Sequence, residues 1–402
     1  MHALAPVTGR TLRASVRAMT ESKPVRHPDF DCVALLLQGG GALGAYQAGV
    51  YQALAEGGIH PNWIAGISIG AVNAAIIAGN APEHRLERLR QFWQEVTAPP
   101  GWSAPAEWQA MFTRGDAART WINQVSSAFA AVAGAPGFFQ PRMPPPWLHP
   151  PGTIEATSYY DTSPLKATLE RLVDFDRINS KDTRLSVGAV NVRTGNFVYF
   201  DSKRDQIKPA HIIASGALPP GFPAVEIDGE HYWDGGIVSN TPLQWVVENS
   251  DEQDLMAFQV DLWSARGHFP RTMSEVMTRQ KEIQYSSRTR AGTTWLKKLH
   301  DMRCAIADIV ARLPPELKNT PAAKLLDAEA DPRVYNIIHL IYRPQNYEGD
   351  SKDVEFSRLT MEEHWRAGHN DAKRTLRHPE VFQRPSALDG VFTFDLAVDG
   401  RE

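Results

Sequence analysis

Two stretches constrain this chain more than any other. Each runs from a short apolar segment through glycine into residues with helical spacing. The first is VALLLQGGGALGAY (33–46). Its apolar run, Val33 to Leu37, reads as a buried strand ending in glycine. Leu43, Tyr46, Val50 and Leu54 follow at helical intervals, and Gly57 and Gly58 stop that helix. The second strand is WIAGI (63–67), followed by the small-residue stretch GAVNAAIIAG (70–79). Strand, helix and strand thus fall within one βαβ unit, so an α/β fold with a mainly parallel sheet is expected.

The rest is read on that frame. Pro82 opens a helix with Leu86, Leu89, Trp93 and Val96 on one face. From 99 to 158 the pattern breaks into a Pro/Trp-rich insertion. PRMPPPWLHPPG (141–152) cannot be a regular element, because proline removes donors and fixes φ. A helix starts at Ser163-Pro164, and hairpins are expected at 185–200 and 225–233, the second turning at Asp228-Gly229. Strands are expected at 255–263 and, late in the chain, at 334–342. The organisation read is a disordered or extended tail (1–30), an α/β domain that includes the insertion (31–263) and a mostly helical C-terminal extension (264–402).

Gly39, Gly41 and Gly44 fit G-x-G-x-x-G, the dinucleotide fingerprint. That reading needs an acidic residue at the end of the second strand. The strand ends instead in Gly66-Ile67-Ser68-Ile69-Gly70, a G-x-S-x-G nucleophile elbow between strand and helix. Side chains at Gly66 and Gly70 would collide with the strained turn. Ser68 needs a base. None of the 13 histidines lies in a recognisable motif, and His211 and His231 read as supporting or surface residues. Asp234, after a strand and before Gly235 and Gly236, is the better partner, although Asp-Gly alone is only a turn signal.

GGGALG, GISIG and DGG, in this order, resemble the three signatures of patatin-like phospholipases. ASGALPPGFP (214–223) and SNTPL (239–243) are similar to segments flanking that family's Asp-Gly motif. The resemblance spans about residues 32–262; the region beyond resembles an extension of a bacterial subgroup. It implies a three-layer α/β/α core and a Ser-Asp dyad without histidine. Ser68 is then the nucleophile and Asp234 the general base. Gly39, Gly40 and Gly41 form the oxyanion loop, with Gly44, Gly66, Gly70, Gly235 and Gly236 as motif support. No metal or cofactor is implied. One departure stands out: family members usually carry Arg or Lys two residues after the third glycine, where this chain has Leu43.

The implied partner is a lipid or other acyl ester, with peripheral membrane association. Trp102, Trp108, Met111, Phe112, Phe138, Phe139 and Trp147 are candidates for a lid or lipid-facing patch, against ordinary packing of the insertion. Basic residues at 279–282, 286–290 and 297–298 could face anionic lipid or only solvent. A net charge of -4 argues against a nucleic-acid partner for the whole chain. Cys32 and Cys304 give no disulfide framework, and no apolar run is long enough to span a bilayer, so a cytoplasmic protein is expected. Two alternatives stay open. One is an esterase for storage polyesters or soluble acyl esters; the other is a non-catalytic lipid-binding protein.

Overall fold

The computed structural model describes residues 30–98, 115–250, 253–287, 289–331, 333–344, 348–349, 351–386 and 390–396. The N-terminal tail, Trp102, Trp108, Met111, Phe112 and Arg288 lie outside them. The strands are β1 (Cys32–Leu37), β2 (Trp63–Ile67), β3 (Gln140–Pro141), β4 (Tyr160–Asp161), β5 (Arg184–Asn191), β6 (Phe197–Asp201), β7 (Val225–Ile227), β8 (Glu230–Asp234), β9 (Leu255–Asp261), β10 (Tyr335–Ile341) and β11 (Val391–Phe394). Nine of them form one sheet, ordered β11-β10-β9-β1-β2-β5-β8-β7, with β6 beside β5. Pairing is parallel from β11 through to β5 and antiparallel among β5, β6, β8 and β7.

Every residue of β1 and β2 is buried, as both faces of the parallel sheet are covered. Side chains alternate between two layers. Leu35, Leu37, Ile64, Phe258 and Val260 face helices α1 (Ala45–Glu56), α2 (Ile69–Ala78) and α3 (Pro82–Val96). Ala34, Leu36, Ala65, Ala257 and Ile337 face the opposite layer, with Val246 and Leu296. The expected α/β sheet with helices on both sides is what forms. Leu37 lies level with Gly66 on β2 and Val260 on β9. The carboxyl ends of three parallel strands therefore finish together, at the edge where open α/β sheets bind ligands.

The late strand expected at 334–342 is β10, and it extends the sheet beside β9. The insertion is more ordered than its composition suggests: Asp116–Ala133 is an 18-residue helix. Its proline-rich part holds only β3 and a 3-10 turn at Pro146–Leu148, as missing donors require.

The helix Arg358–Thr375 lies against α1 at backbone distance. A Cβ on Gly49 would stand 1.9 Å from the Trp365 carbonyl oxygen, and one on Gly368 2.0 Å from that of Tyr46. Trp365 Nε1 donates to Gln52 Oε1 at 2.6 Å and the Tyr46 hydroxyl to Asp371 Oδ2 at 2.9 Å. Only glycine permits this approach. Gly368→Val should lower unfolding free energy by about 1–3 kcal/mol, read from its urea midpoint. Gly292→Ala, where a Cβ meets nothing within 4 Å, should be neutral or stabilising.

Candidate active site

Ser68 sits between β2 and α2 with φ 57 and ψ −125. A non-glycine residue there carries strain of about 1–3 kcal/mol. Two contacts hold it. The Ser68 N–H donates to the Ser215 carbonyl at 3.1 Å and to Ser215 Oγ at 3.0 Å. Ser215 Oγ in turn donates to the Gly188 carbonyl at 2.6 Å. The flanking glycines are sterically required. A Cβ on Gly66 would lie 2.3 Å from Gly70 O, and one on Gly70 2.2 Å from Leu37 O.

The sheet brings Asp234 to the same level. On β5, Gly188 pairs with Ile67 and Ala189 pairs with Asp234. Gly235 then passes so close that a Cβ would stand 2.7 Å from Gly188 O and 3.1 Å from Ile67 Cγ2. Asp234 is 2% exposed. Its N–H donates to Ala217 O at 3.0 Å, and its Oδ1 accepts from the Gly236 N–H at 2.7 Å. Burial lifts its carboxyl to about 7, while hydrogen bonds from the Ser68 side chain and the Gly236 N–H pull it down. Ser68 and Asp234 therefore share a hydrogen bond.

The glycine loop crosses beside them. A Cβ on Gly39 would lie 2.9 Å from Ser68 Cβ. Asn240 clamps the loop: the Gly39 N–H donates to Asn240 Oδ1 at 3.0 Å, and Asn240 Nδ2 donates to Gly39 O at 3.1 Å. This bears on the expected oxyanion trio. The Gly39 amide is occupied by Asn240. Among the described residues the Gly40 and Gly41 amides form no hydrogen bond. Gly41 needs its glycine, at φ 55 with a Cβ position 2.1 Å from Asp353 O. Asp353 O also accepts from the Ala42 N–H at 2.9 Å.

A family model described as Patatin-like phospholipase matches residues 35–246, and another described as Patatin phospholipase matches residues 283–388. The chain belongs to the patatin-like phospholipase family. It is similar to patatin-like phospholipase domain-containing protein 7 of Rattus norvegicus, 38% identical over 85 residues. That stretch is 19% of this chain and 6% of the relative. The Mus musculus counterpart is 44% identical over 81 residues, 18% of this chain and 6% of that protein. Matches thus span a small fraction of the curated relatives' length. Among solved structures, VipD from Legionella pneumophila is 14% identical with a TM-score of 0.37, covering 92% of this chain and 72% of that one.

Other candidates in this patatin-like chain go elsewhere. Phe138 and Phe139 are buried, edge-on to Phe92, Tyr160 and Phe356, and belong to the core rather than a lipid face. Trp147 is exposed. Leu43 is fully buried against the same core. His231 is exposed; His211 is buried and accepts from the Lys208 N–H through Nδ1 at 2.9 Å. In the basic stretch, Arg279 and Lys281 form ion pairs with Glu282 and Asp353 at 3.0 and 2.9 Å. Among the described residues no group of three or more His, Cys, Asp or Glu is placed to hold a metal.

The residues missed are those that position the loops: Ser215, Gln38, Asn240, Tyr285 and Asp353. Gln38 Oε1 accepts from the Leu262 and Trp263 N–H groups, and its Nε2 donates to Tyr285 O at 3.0 Å. Segments 214–223 and 239–243 signalled Ser215 and Asn240 only by resemblance.

Asp234 makes stability depend on pH. Its folded value lies above the unfolded one, 3.8, so below 3.8 both states are protonated and nothing is lost. Between there and about 7 the unfolded state ionises first, and stability falls as pH rises. Asp234→Asn never ionises. Its stability advantage should be small near pH 4, grow towards pH 7 and level off above, on the order of 4 kcal/mol. Urea titrations at pH 4, 6 and 8 measure it; a constant difference contradicts the desolvated carboxylate.

Proposed function

We propose that this chain is a serine acyl-ester hydrolase working through a Ser68–Asp234 dyad. The observation that carries the reading is the hydrogen bond between a strained serine hydroxyl and a desolvated carboxyl held near 7. Asp234 takes the proton as Ser68 Oγ attacks the ester carbonyl. Protonated Asp234 then gives it to the departing alcohol, leaving an acyl-enzyme that water hydrolyses by the same route. A carboxylate with an ordinary value would be a poor base at neutral pH; burial supplies the match. The Gly40 and Gly41 amides receive the tetrahedral oxyanion, and each such donor is worth about 3 kcal/mol in the transition state.

Membership of the patatin-like phospholipase family supports a lipid acyl ester as substrate. No described helix is long and apolar enough to cross a membrane. We read the contact with lipid as peripheral. Trp121, Val125, Phe129 and Val132, one stripe of helix Asp116–Ala133, are exposed, as are Met143, Trp147 and Leu148. The Tyr160 hydroxyl ties that helix to the 218–222 loop: it donates to Ala131 O, and the Tyr160 N–H donates to Gly221 O. Aromatic residues on such a surface suit the lipid–water boundary. The buried Leu43 favours a second reading, an ester without phosphate, because no cation stands at that position.

Ser68→Ala and Asp234→Asn should each lower kcat by at least about a thousandfold on a nitrophenyl ester, with far-UV spectra unchanged. The native kcat/KM should rise with pH through about 7, since the base must be ionised. Normal turnover by Asp234→Asn would assign the base to a histidine. A fluorophosphonate that leaves Ser68 unmodified would favour a non-catalytic lipid-binding protein. Trp121→Asp with Trp147→Asp should lower fatty-acid release from vesicles at least tenfold relative to the soluble ester; equal losses on both would remove the lipid face. Phospholipid vesicles set against polyester granules decide the substrate class.

A further inference from the structure

Helix Met273–Tyr285 is amphipathic in the inverse sense. Its polar side faces the protein. Arg279 Nη1 donates to the Ser264 carbonyl at 3.4 Å and pairs with Glu282 at 3.0 Å. Lys281 pairs with Asp353, and Glu282 with Lys352, both at 2.9 Å. The Tyr285 ring lies 5.7 Å from that of Trp263. The apolar side faces outward. Met273, Val276, Met277 and Ile283 are all exposed and fall within about 120° of the helix circumference. None of the helix's residues is buried. A helix that only covered its own domain would bury that stripe. The stripe also continues into the segment before it: Phe269 is 89% exposed and Met273 76%.

The charges beside the stripe indicate what covers it. From Ser264 to Ser274 the chain carries Arg266, His268 and Arg271 and no acidic residue. The nearest acid, Glu275, lies on the other side of the helix and accepts from the Arg271 N–H at 2.6 Å. Apolar side chains interleaved with cations suit the headgroup boundary of an anionic bilayer. A second copy fits less well, because a two-fold contact through this segment would set Arg271 against its own counterpart. The helix is also tied to the glycine loop. The Tyr285 carbonyl accepts from Gln38 Nε2 and Asn240 Nδ2 at 3.0 and 2.9 Å, and Asn240 Oδ1 holds the Gly39 N–H. We propose that residues 266–283 form a docking face for anionic lipid surfaces. Phe269, Met273, Val276 and Met277 enter the headgroup boundary, and Arg271 meets lipid phosphate. The inference rests on the lipid reading above and adds a surface outside the 99–158 insertion.

Co-sedimentation tests the face without hydrolysis, using the full chain with Ser68→Ala and phosphatidylcholine vesicles with or without phosphatidylglycerol. The anionic vesicles should bind more tightly. Phe269→Asp with Met273→Asp should weaken that binding at least about tenfold, whereas Phe269→Leu with Met273→Leu should keep it. Arg271→Glu should cut the preference for phosphatidylglycerol about tenfold. These side chains are exposed, so far-UV spectra and urea midpoints should not change. With Ser68 restored, the aspartate pair should lower fatty-acid release from anionic vesicles and leave nitrophenyl-ester turnover as it was. Equal binding of the Ser68→Ala chain to both vesicles overturns the proposal. So does anionic-vesicle binding that the aspartate pair changes by less than about twofold. A dimer that the aspartate pair dissociates also overturns it and gives the face to a second copy. A Ser68-intact chain inactive on every ester would refute the hydrolase reading, while the vesicle binding still decides the docking face.

Discussion

The backbone at Ser68 is the constraint on which the site depends. A serine at φ 57 is not a conformation the chain chooses locally; surrounding structure imposes it. The turn is closed by Gly66 and Gly70, which have no room for side chains, and by Ser215, whose carbonyl and hydroxyl both take the Ser68 N–H. Ser215 is itself tied to β5 through Gly188. A Cβ at 235 would stand 2.7 Å from the Gly188 carbonyl oxygen, so the glycine there lets Asp234 approach the serine. One strand thus fixes Ser68 and Asp234 against each other. The missing side chain at 235 is as much part of the site as Ser68 and Asp234 themselves.

Burial of Asp234 does two opposing things. It brings the carboxyl into the range where a proton can be taken and returned at neutral pH, without a histidine between acid and hydroxyl. It also disfavours the ionised form. The hydrogen bonds from Ser68 and Gly236 limit that cost without removing it. In the proposed mechanism a more solvated aspartate would stabilise the fold and weaken the base, which is the usual opposition between stability and function at such sites.

Much of this was legible in the sequence because its signals are steric and local. A glycine two residues either side of a serine, or two after an aspartate, encodes close backbone approach, and β1, β2, α2 and β8 appear where those patterns put them. What was not legible depends on contacts between distant parts of the chain. Asn240 reaches Gly39 across 201 positions. The Tyr285 and Asp353 contributions come from main-chain carbonyls, which carry no side-chain signature. Phe138 and Phe139 look like lipid anchors by composition, and only packing against Phe356 and Phe92 shows them to be core. The helix Asp116–Ala133 was hidden by the proline-rich sequence that follows it.

Those distant contacts give the C-terminal region a definite task. Lys281 pairs with Asp353 at 2.9 Å, and Lys352 pairs with Glu282 at 2.9 Å, so two neighbouring residues on each segment are joined reciprocally. Lys352 is 4% exposed, and its ammonium stands 5.2 Å from the Trp263 ring, whose Nε1 donates to Gly39 O. Partly buried pairs of this kind add little net stability, because desolvation offsets their attraction. What they provide is a fixed geometry. Here it sets the Asp353 carbonyl against Ala42 and the Tyr285 carbonyl against Gln38 and Asn240. The glycine loop is therefore gripped from outside the segment that contains Ser68 and Asp234. An amide donor helps a transition state only where it is already oriented before charge develops. That orientation is supplied by residues 281–285 and 352–353, which makes the C-terminal region a component of the site rather than an appendage to it.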